Sequence, residues 1–224
     1  MLLKKGKKLR FLTYTLLIIV LSSINNYDFN IGNIFNINHV NVDGFSKKKN
    51  MEIRNEIKDV LGKNIFITKK NDFIKLTERN DTKYLIIKKI YPNKLLINIF
   101  PAKPICIILT ENEKIILGDN GKKLKDKIEA NNLPTVIGSK NIEDIFILIK
   151  LLKLSKLNYA LVKNITFFKS GRFDIKLKSG MIIKFPIKYD IEIINYGNNL
   201  LNQKKFINSK IIDLRIKNRI IKYE

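Results

Sequence analysis

Histidine and cysteine are almost absent from this chain of 224 residues, which has one of each. The single cysteine, Cys106, rules out an intramolecular disulfide. Its place in the apolar run Ile105–Leu109 suits a small buried hydrophobe better than a nucleophile. The single histidine, His39, has no cysteine or carboxylate cluster beside it, and a metal site needs several ligands. A histidine-based acid–base pair is equally unsupported. Glycine-rich phosphate loops are missing too, because Gly62-Lys63 has no glycine at the earlier offset such a loop requires. The nearest paired carboxylates, Asp190 and Glu192, lie in a helix-like segment and read as a solvated surface, since strong pKa tuning needs a specific pocket. No catalytic residue, metal ligand or cofactor is therefore indicated, and the chain reads as a binding protein rather than an enzyme.

Acidic residues are scarce. There are 20 against 43 basic ones, for a formal charge of +23. Such an excess points to nucleic acid or an anionic membrane. However, Lys, Ile and Asn make up nearly half of the chain. All three have A/T-rich codons, so drift in base composition supplies lysines without selection for a ligand. The basic residues are scattered and only six are Arg, whereas base readers favour Arg. No nucleic-acid partner is expected.

Long apolar runs are also lacking, with one exception. Lys4, Lys5, Lys7, Lys8 and Arg10 precede the uncharged run Phe11–Ile24, and the next stretch carries Asp28 and Asp43 but no Lys or Arg. The positive-inside rule then leaves the start in the cytoplasm and the remainder outside. The run is shorter than the roughly 20 residues of a spanning helix and suits the core of a signal peptide, with Val20-Leu21-Ser22 as a weak cleavage site. Leu9 and the uncharged Ser22–Asn26 extend it, and flanking lysines can snorkel, so these residues leave anchor and signal peptide open.

Beyond a polar, Asn-rich linker, alternation over Ile37–Val42 predicts a strand ended by Asp43-Gly44. Met51, Ile53, Ile57, Val60 and Leu61 recur at helical spacing up to Gly62. Asn71 or Asp72 is placed to cap a second helix that buries Phe73, Ile74 and Leu76. Two β-rich runs, Tyr84–Ile90 and Leu95–Ile99, flank Tyr91-Pro92-Asn93, which reads as a hairpin turn. The order is strand, helix, helix, strand, strand, enough for two helices to cover one face of a small sheet.

In the second half, Pro104–Leu109 and Lys114–Leu117 read as strands, with a turn at Gly118-Asp119-Asn120-Gly121. Leu133–Gly138 is a short apolar stretch. A helix is predicted over Asn141–Leu157, capped by Asn141, with Ile142, Ile145, Phe146, Ile149, Leu152 and Leu157 along its buried stripe. Leu161–Phe168, Arg172–Leu177 and Met181–Phe185 read as strands, Tyr189–Leu201 as a helix, and Ile211–Ile216 and Arg219–Tyr223 as closing strands. There is no internal repeat.

Taken in order, these features resemble the FtsQ/DivIB family of bitopic bacterial cell-division proteins. The resemblance rests on the basic start and single apolar segment, then His39-Val40-Asn41-Val42-Asp43-Gly44, then Gly62-Lys63-Asn64-Ile65-Phe66 and Lys88-Lys89-Ile90-Tyr91-Pro92-Asn93-Lys94-Leu95. Pro104-Ile105-Cys106, Leu117-Gly118-Asp119-Asn120-Gly121, Leu133-Pro134 and Ile212-Asp213-Leu214-Arg215 complete it. No single motif is specific, but the ordered set spans nearly the whole chain. The chain departs from the family at Pro101, where an acidic residue is usual, at Phe173, where Trp is usual, and at Ile216, where an aromatic is usual.

The resemblance implies an α+β protein with a single N-terminal transmembrane helix, a POTRA domain ordered strand-helix-helix-strand-strand, and a mostly antiparallel β domain with flanking helices. Residues 1–10 would form a cytoplasmic tail, 11–26 the transmembrane helix, 27–36 a linker, 37–103 the POTRA domain and 104–224 the β domain. It implies an uncleaved anchor in the inner membrane, a periplasmic bulk and a place at the mid-cell septum. It further implies a non-catalytic scaffold of the divisome that binds FtsB and FtsL, and through them FtsW/FtsI. Capture would occur by strand addition to an exposed sheet edge. The expected contact residues are Ile216, Asn218, Arg219, Ile220, Ile221, Lys222 and Tyr223, with Lys169 and Arg172 set to meet an acidic partner segment. A POTRA-bearing export or outer-membrane-assembly factor is the alternative, but there is a single such block and no room for a barrel. A basic nucleic-acid binder would need its charge on one face and a cytoplasmic address.

Overall fold

The computed structural model of the protein describes residues 3–23, 31–111, 113–125, 132–138, 141–206, 209–216 and 219–223. Helix α1 (Leu3–Ser23) comes first. Its side chains from Leu9 to Leu21 are exposed on all sides, and none of them joins a hydrophobic core. Among the described residues no helix is long and apolar enough to cross a membrane. A short helix α2 (Ile31–Ile34) then leads into the first sheet.

That sheet has three strands: β1 (His39–Asp43), β2 (Thr82–Ile90) and β3 (Lys94–Pro101), in the order β1-β3-β2. β1 runs parallel to β3, with Val40 beside Leu95 and Val42 beside Ile97. β2 and β3 form the expected antiparallel hairpin around Tyr91-Pro92-Asn93, where the Tyr91–Pro92 peptide bond is cis. Period-two alternation sends Leu95, Ile97 and Ile99 to one face. There they meet Ile53 of α3 (Lys47–Glu56), Ile57 and Val60 of the following turn, and Phe73 and Leu76, the latter on α4 (Ile74–Glu78). Two of the residues expected on the buried helical stripe point outward instead. Met51 is 67% exposed, and Leu61 lies beyond the end of α3, where the chain has left the helix. Asp72 accepts from the Lys69 N–H at 2.8 Å and so steadies the entry to the turn before α4. The Lys63 ammonium, 2.8 Å away, holds its carboxyl below the usual range.

The second sheet has nine strands: β4 (Pro104–Leu109), β5 (Lys114–Gly118), β6 (Lys123–Leu124), β7 (Thr135–Ile137), β8 (Val162–Phe167), β9 (Phe173–Leu177), β10 (Ile182–Phe185), β11 (Ile211–Asp213) and β12 (Ile221–Tyr223). Their order is β12-β11-β10-β9-β8-β7-β4-β5-β6. Three neighbouring pairs run parallel, β4 with β7, β7 with β8 and β10 with β11, so the sheet is mixed. Two of these pairings are joined through helices, as a parallel return requires. α5 (Ile142–Leu154) links β7 to β8, and α6 (Ile191–Leu201) links β10 to β11. α5 starts as its sequence predicts, and α6 starts two residues after the expected Tyr189, capped by Asp190. Asn141 Oδ1 accepts from the Asp144 N–H at 2.7 Å, and Asp190 Oδ1 from the Ile193 N–H at 2.9 Å. Ile145, Leu148, Ile149 and Leu152 of α5 pack with Ile194 and Leu200 of α6 over Ile165, Phe173, Ile175, Ile183 and Phe185 of the sheet.

The two sheets are clasped by the turn after β5. Asn120 Nδ2 donates to the Asn80 and Thr82 carbonyls at 2.8 and 2.9 Å. Lys122 Nζ donates to the Thr77 and Glu78 carbonyls, and Lys83 pairs with Asp119 at 2.8 Å. The sequence marks this stretch only as a turn. Its role in joining the sheets comes from residues about forty positions earlier in the chain.

Candidate functional site

The carboxyl-terminal edge of the larger sheet is the candidate site. β12 ends the strand order, with β11 on its inner side. It is only three residues long, where the sequence predicts a strand over Arg219–Tyr223. Ile221 and Tyr223 are 38% and 48% exposed, Lys222 is exposed, and Ile220 packs partly against the main core. Arg219 N–H donates to the Ile216 carbonyl at 3.1 Å, which turns the chain just before the strand. Ile216 is 51% exposed and lies outside any strand, so the expected strand Ile211–Ile216 stops at Asp213. Asn218 lies outside the described residues.

The physical reason β11 stops is the Asp213–Arg215 pair. Asp213 is buried, and its carboxylate accepts from Arg215 Nε at 2.8 and 2.9 Å, from Nη2 at 2.5 Å and from the Arg215 N–H at 3.0 Å. This fork bends the backbone within two residues and sends the chain toward β12. The hydrogen bonds from Arg215 hold the Asp213 carboxyl below the usual carboxylate range. Asp174, in β9, is pushed the other way by burial, although Lys184, Arg215 and Arg172 oppose the shift.

Lys169 and Arg172 do not join this edge. They lie in the turn between β8 and β9, and β9 is separated from β12 by β10 and β11. At about 4.8 Å per strand that is roughly 14 Å. The Arg172 guanidinium instead lies 5.3 Å from the Phe168 ring centre.

Beside the edge is a groove of about 430 Å³ lined by Asp190, Glu192, Ile193, Tyr196, Leu214, Ile216, Arg219 and Ile220. The start of α6 thus faces the segment that leads into β12. Asp190 and Glu192, which look like ordinary surface carboxylates in the sequence, here border an apolar recess next to the exposed strand. The groove suits an apolar or basic side chain of an incoming segment, in contrast to the acidic one that the lysines suggest. Sequence reasoning missed it because its two walls are at least eighteen residues apart in the chain. The one available signal was the pairing of a capping Asp190 with a following Glu192.

Cys106 is fully buried, and burial pushes its thiol up to about 12. His39 is exposed at the start of β1, paired with Lys94 of β3. Among the described residues no three His, Cys, Asp or Glu side chains come together as metal ligands.

No family model matches the chain. It is 30% identical over 148 residues to the cell division protein FtsQ of Rickettsia typhi, covering 59% of this chain and 53% of the relative. With FtsQ of Rickettsia conorii it is 26% identical over 196 residues, covering 83% and 71%. The chain thus spans about half the length of the first of these relatives. The major extracytoplasmic domain of the trans isomer of the cell division protein DivIB from Geobacillus stearothermophilus is a solved structure similar to it. That likeness has 14% identity and a TM-score of 0.35, and covers 46% of this chain and 95% of that one. The chain is thus similar to proteins named cell division protein FtsQ.

Proposed function

We propose that the chain is a non-catalytic, bitopic scaffold of the bacterial division machinery, and that it captures FtsB, together with FtsL, by strand addition at β12. The observation that carries this reading is the exposed terminal strand Ile221–Tyr223 lying next to the groove between α6 and the Leu214–Ile220 segment. An incoming strand gains main-chain bonds at the edge, and its side chains fill the groove. FtsW/FtsI would follow through the FtsB–FtsL pair. In this reading residues 37–103 form a POTRA domain and 104–224 the β domain, at the mid-cell septum.

The anchor belongs to the same proposal. α1 is apolar and exposed over Phe11–Leu21, with no packing partner in either core. A helix that is apolar on all sides seeks a bilayer or another protein. Residues 11–26 would span the inner membrane, with residues 1–10 in the cytoplasm, 27–36 as a linker and the two sheets in the periplasm. The segment is short for a bilayer, and the lysines before it reach the interface by extending their stems.

The test is removal of residues 221–224, which leaves the half-buried Ile220 in place. FtsB pull-down should fall to background while the thermal transition of the protein is preserved. Capture of FtsB at wild-type strength by this variant would put the binding site elsewhere.

A further inference from the structure

Three segments meet at the end of the first sheet that lies away from the second sheet. The isolated bridge Asn36–Asn64 and the bond from the Ile65 N–H to the Phe35 carbonyl at 2.8 Å join the entry segment to the loop after Gly62. Lys89 Nζ donates to the Thr68 carbonyl at 2.8 Å and fixes that loop against β2. Asn64 Oδ1 accepts from the Phe66 N–H at 2.9 Å. The result is a row of three rings. Phe66 lies 5.0 Å from Phe35 on one side and 5.0 Å from Tyr91 on the other. Yet the row is not buried. Phe66 is 58% exposed, Ile67 71%, Tyr91 55%, Ile90 44% and Ile34 40%.

A preformed apolar tip of this size needs an occupant, and its position identifies one. From Ser23, the end of α1, to Ile31 there are eight Cα steps, which reach at most about 28 Å. The tip begins four residues later at Phe35. The junction with the second sheet lies at the other end of β3, seven residue steps or about 24 Å away. The tip is therefore the part of the folded body held nearest to α1. Its make-up also fits an interface. Phenylalanine and tyrosine with isoleucine form the apolar part; Lys89, bonded to the Phe66 and Thr68 carbonyls, adjoins it, and exposed Lys69 and Lys70 follow Ile67 in the chain. Aromatic rings favour the headgroup level of a bilayer, and lysines favour its anionic lipids.

We infer that the tip formed by Ile34, Phe66, Ile67, Ile90 and Tyr91 is a membrane-contact site, which seats the first sheet on the lipid surface beside α1. This rests on the reading of α1 as the membrane segment. Seating would fix the height and tilt of the β12 edge relative to the bilayer, which a linker alone leaves free.

The test exploits the absence of tryptophan from the chain. The full chain would be reconstituted in vesicles of phosphatidylcholine and phosphatidylglycerol, with or without bromine on the upper acyl carbons. Three variants each carry one tryptophan: Phe66→Trp at the tip, Leu16→Trp in α1 and Leu154→Trp at the end of α5. Brominated lipid should roughly halve the Phe66→Trp emission and leave Leu154→Trp unchanged. Adding Tyr91→Asp and Ile67→Asp to Phe66→Trp should abolish the quenching; all three side chains are exposed, so the fold is spared. If Leu16→Trp is quenched and Phe66→Trp is not, the tip does not touch lipid, although the anchor stands. If neither is quenched, both readings fall. Quenching of Phe66→Trp alone supports the tip and rejects the anchor.

Discussion

Replacing Asp213 by alanine should loosen the carboxyl-terminal edge, and the size of the effect follows from the geometry. The carboxylate is buried, whereas the Arg215 side chain is 33% exposed. Breaking a fully buried pair costs about 3–5 kcal/mol, and an exposed one about 0–1 kcal/mol. This half-solvated pair falls between, at about 2 kcal/mol, because the orphaned guanidinium can reach water. Loss of the acceptor for the Arg215 N–H adds about 1 kcal/mol. We expect a destabilisation of about 2–3 kcal/mol for Asp213→Ala near neutral pH, and less for Asp213→Asn, which keeps an acceptor for that N–H. The pH dependence carries a definite sign. Arg215 lowers the Asp213 carboxyl in the folded protein below its ordinary value. Its stabilisation is therefore fully present above the unfolded pKa and is lost as pH falls through the folded one. The gap between wild type and Asp213→Ala should stay constant from about pH 7 to about pH 5 and narrow below about pH 4. Urea unfolding of the full chain in detergent micelles, followed by circular dichroism across this range, measures it. A gap below about 0.5 kcal/mol at neutral pH, or one that does not narrow in acid, would show that the fork does not hold the turn.

Gly44 has φ +128°, and a Cβ there would fall 1.8 Å from the Ile99 carbonyl oxygen; Gly44→Ala should cost roughly 3 kcal/mol or more, read as a lowered urea midpoint. Cys106, buried with its thiol pushed up to about 12, should resist an aromatic disulfide reagent in the native protein and react fully in urea; labelling of native protein within minutes would contradict the packing. Asn120→Ala removes both donors to the Asn80 and Thr82 carbonyls and the acceptor for the Lys122 N–H. It should cost about 1–2 kcal/mol and, if the clasp couples the sheets, split the thermal transition seen by calorimetry.

Much of the fold was legible because local signals agreed with the tertiary result. Tyr91-Pro92-Asn93 stops one alternating run and starts the next, and the hairpin follows with Leu95, Ile97 and Ile99 buried. Asn141 announces α5 through a cap that forms as expected, whereas Asp190, which caps α6, reads in the sequence only as a surface carboxylate. Failures fall where distant packing decides. Met51 fits a helical stripe, but α3 meets its sheet through Ile53 and turns Met51 to solvent. The three parallel pairings of the larger sheet were not legible, because parallel partners are brought together by whole crossovers and leave no turn signature. The closing strands were read too long because alternation of Ile with polar residues continues through Asp213-Leu214-Arg215. A salt-bridged turn there overrides the pattern.

The candidate edge was legible as a place, but not as a recognition surface. The strand-like run Arg219–Tyr223 points to it. The charge-based choice of Lys169 and Arg172 failed to reach it because surface charge carries no information about which turn neighbours which strand. The shortness of β12 also shifts the balance of the binding argument. Three residues provide few main-chain bonds, each with a net contribution of about 0.5–1.5 kcal/mol. Such a strand is well suited to avoiding unwanted edge-to-edge pairing and poorly suited to holding a partner alone. In the proposed capture, most of the affinity would then come from side chains seated in the groove, where Ile193, Tyr196 and Ile216 offer apolar area and Asp190, Glu192 and Arg219 offer polar selection. In the proposed capture, the edge would set the register of the incoming strand and the groove would determine which strand is retained.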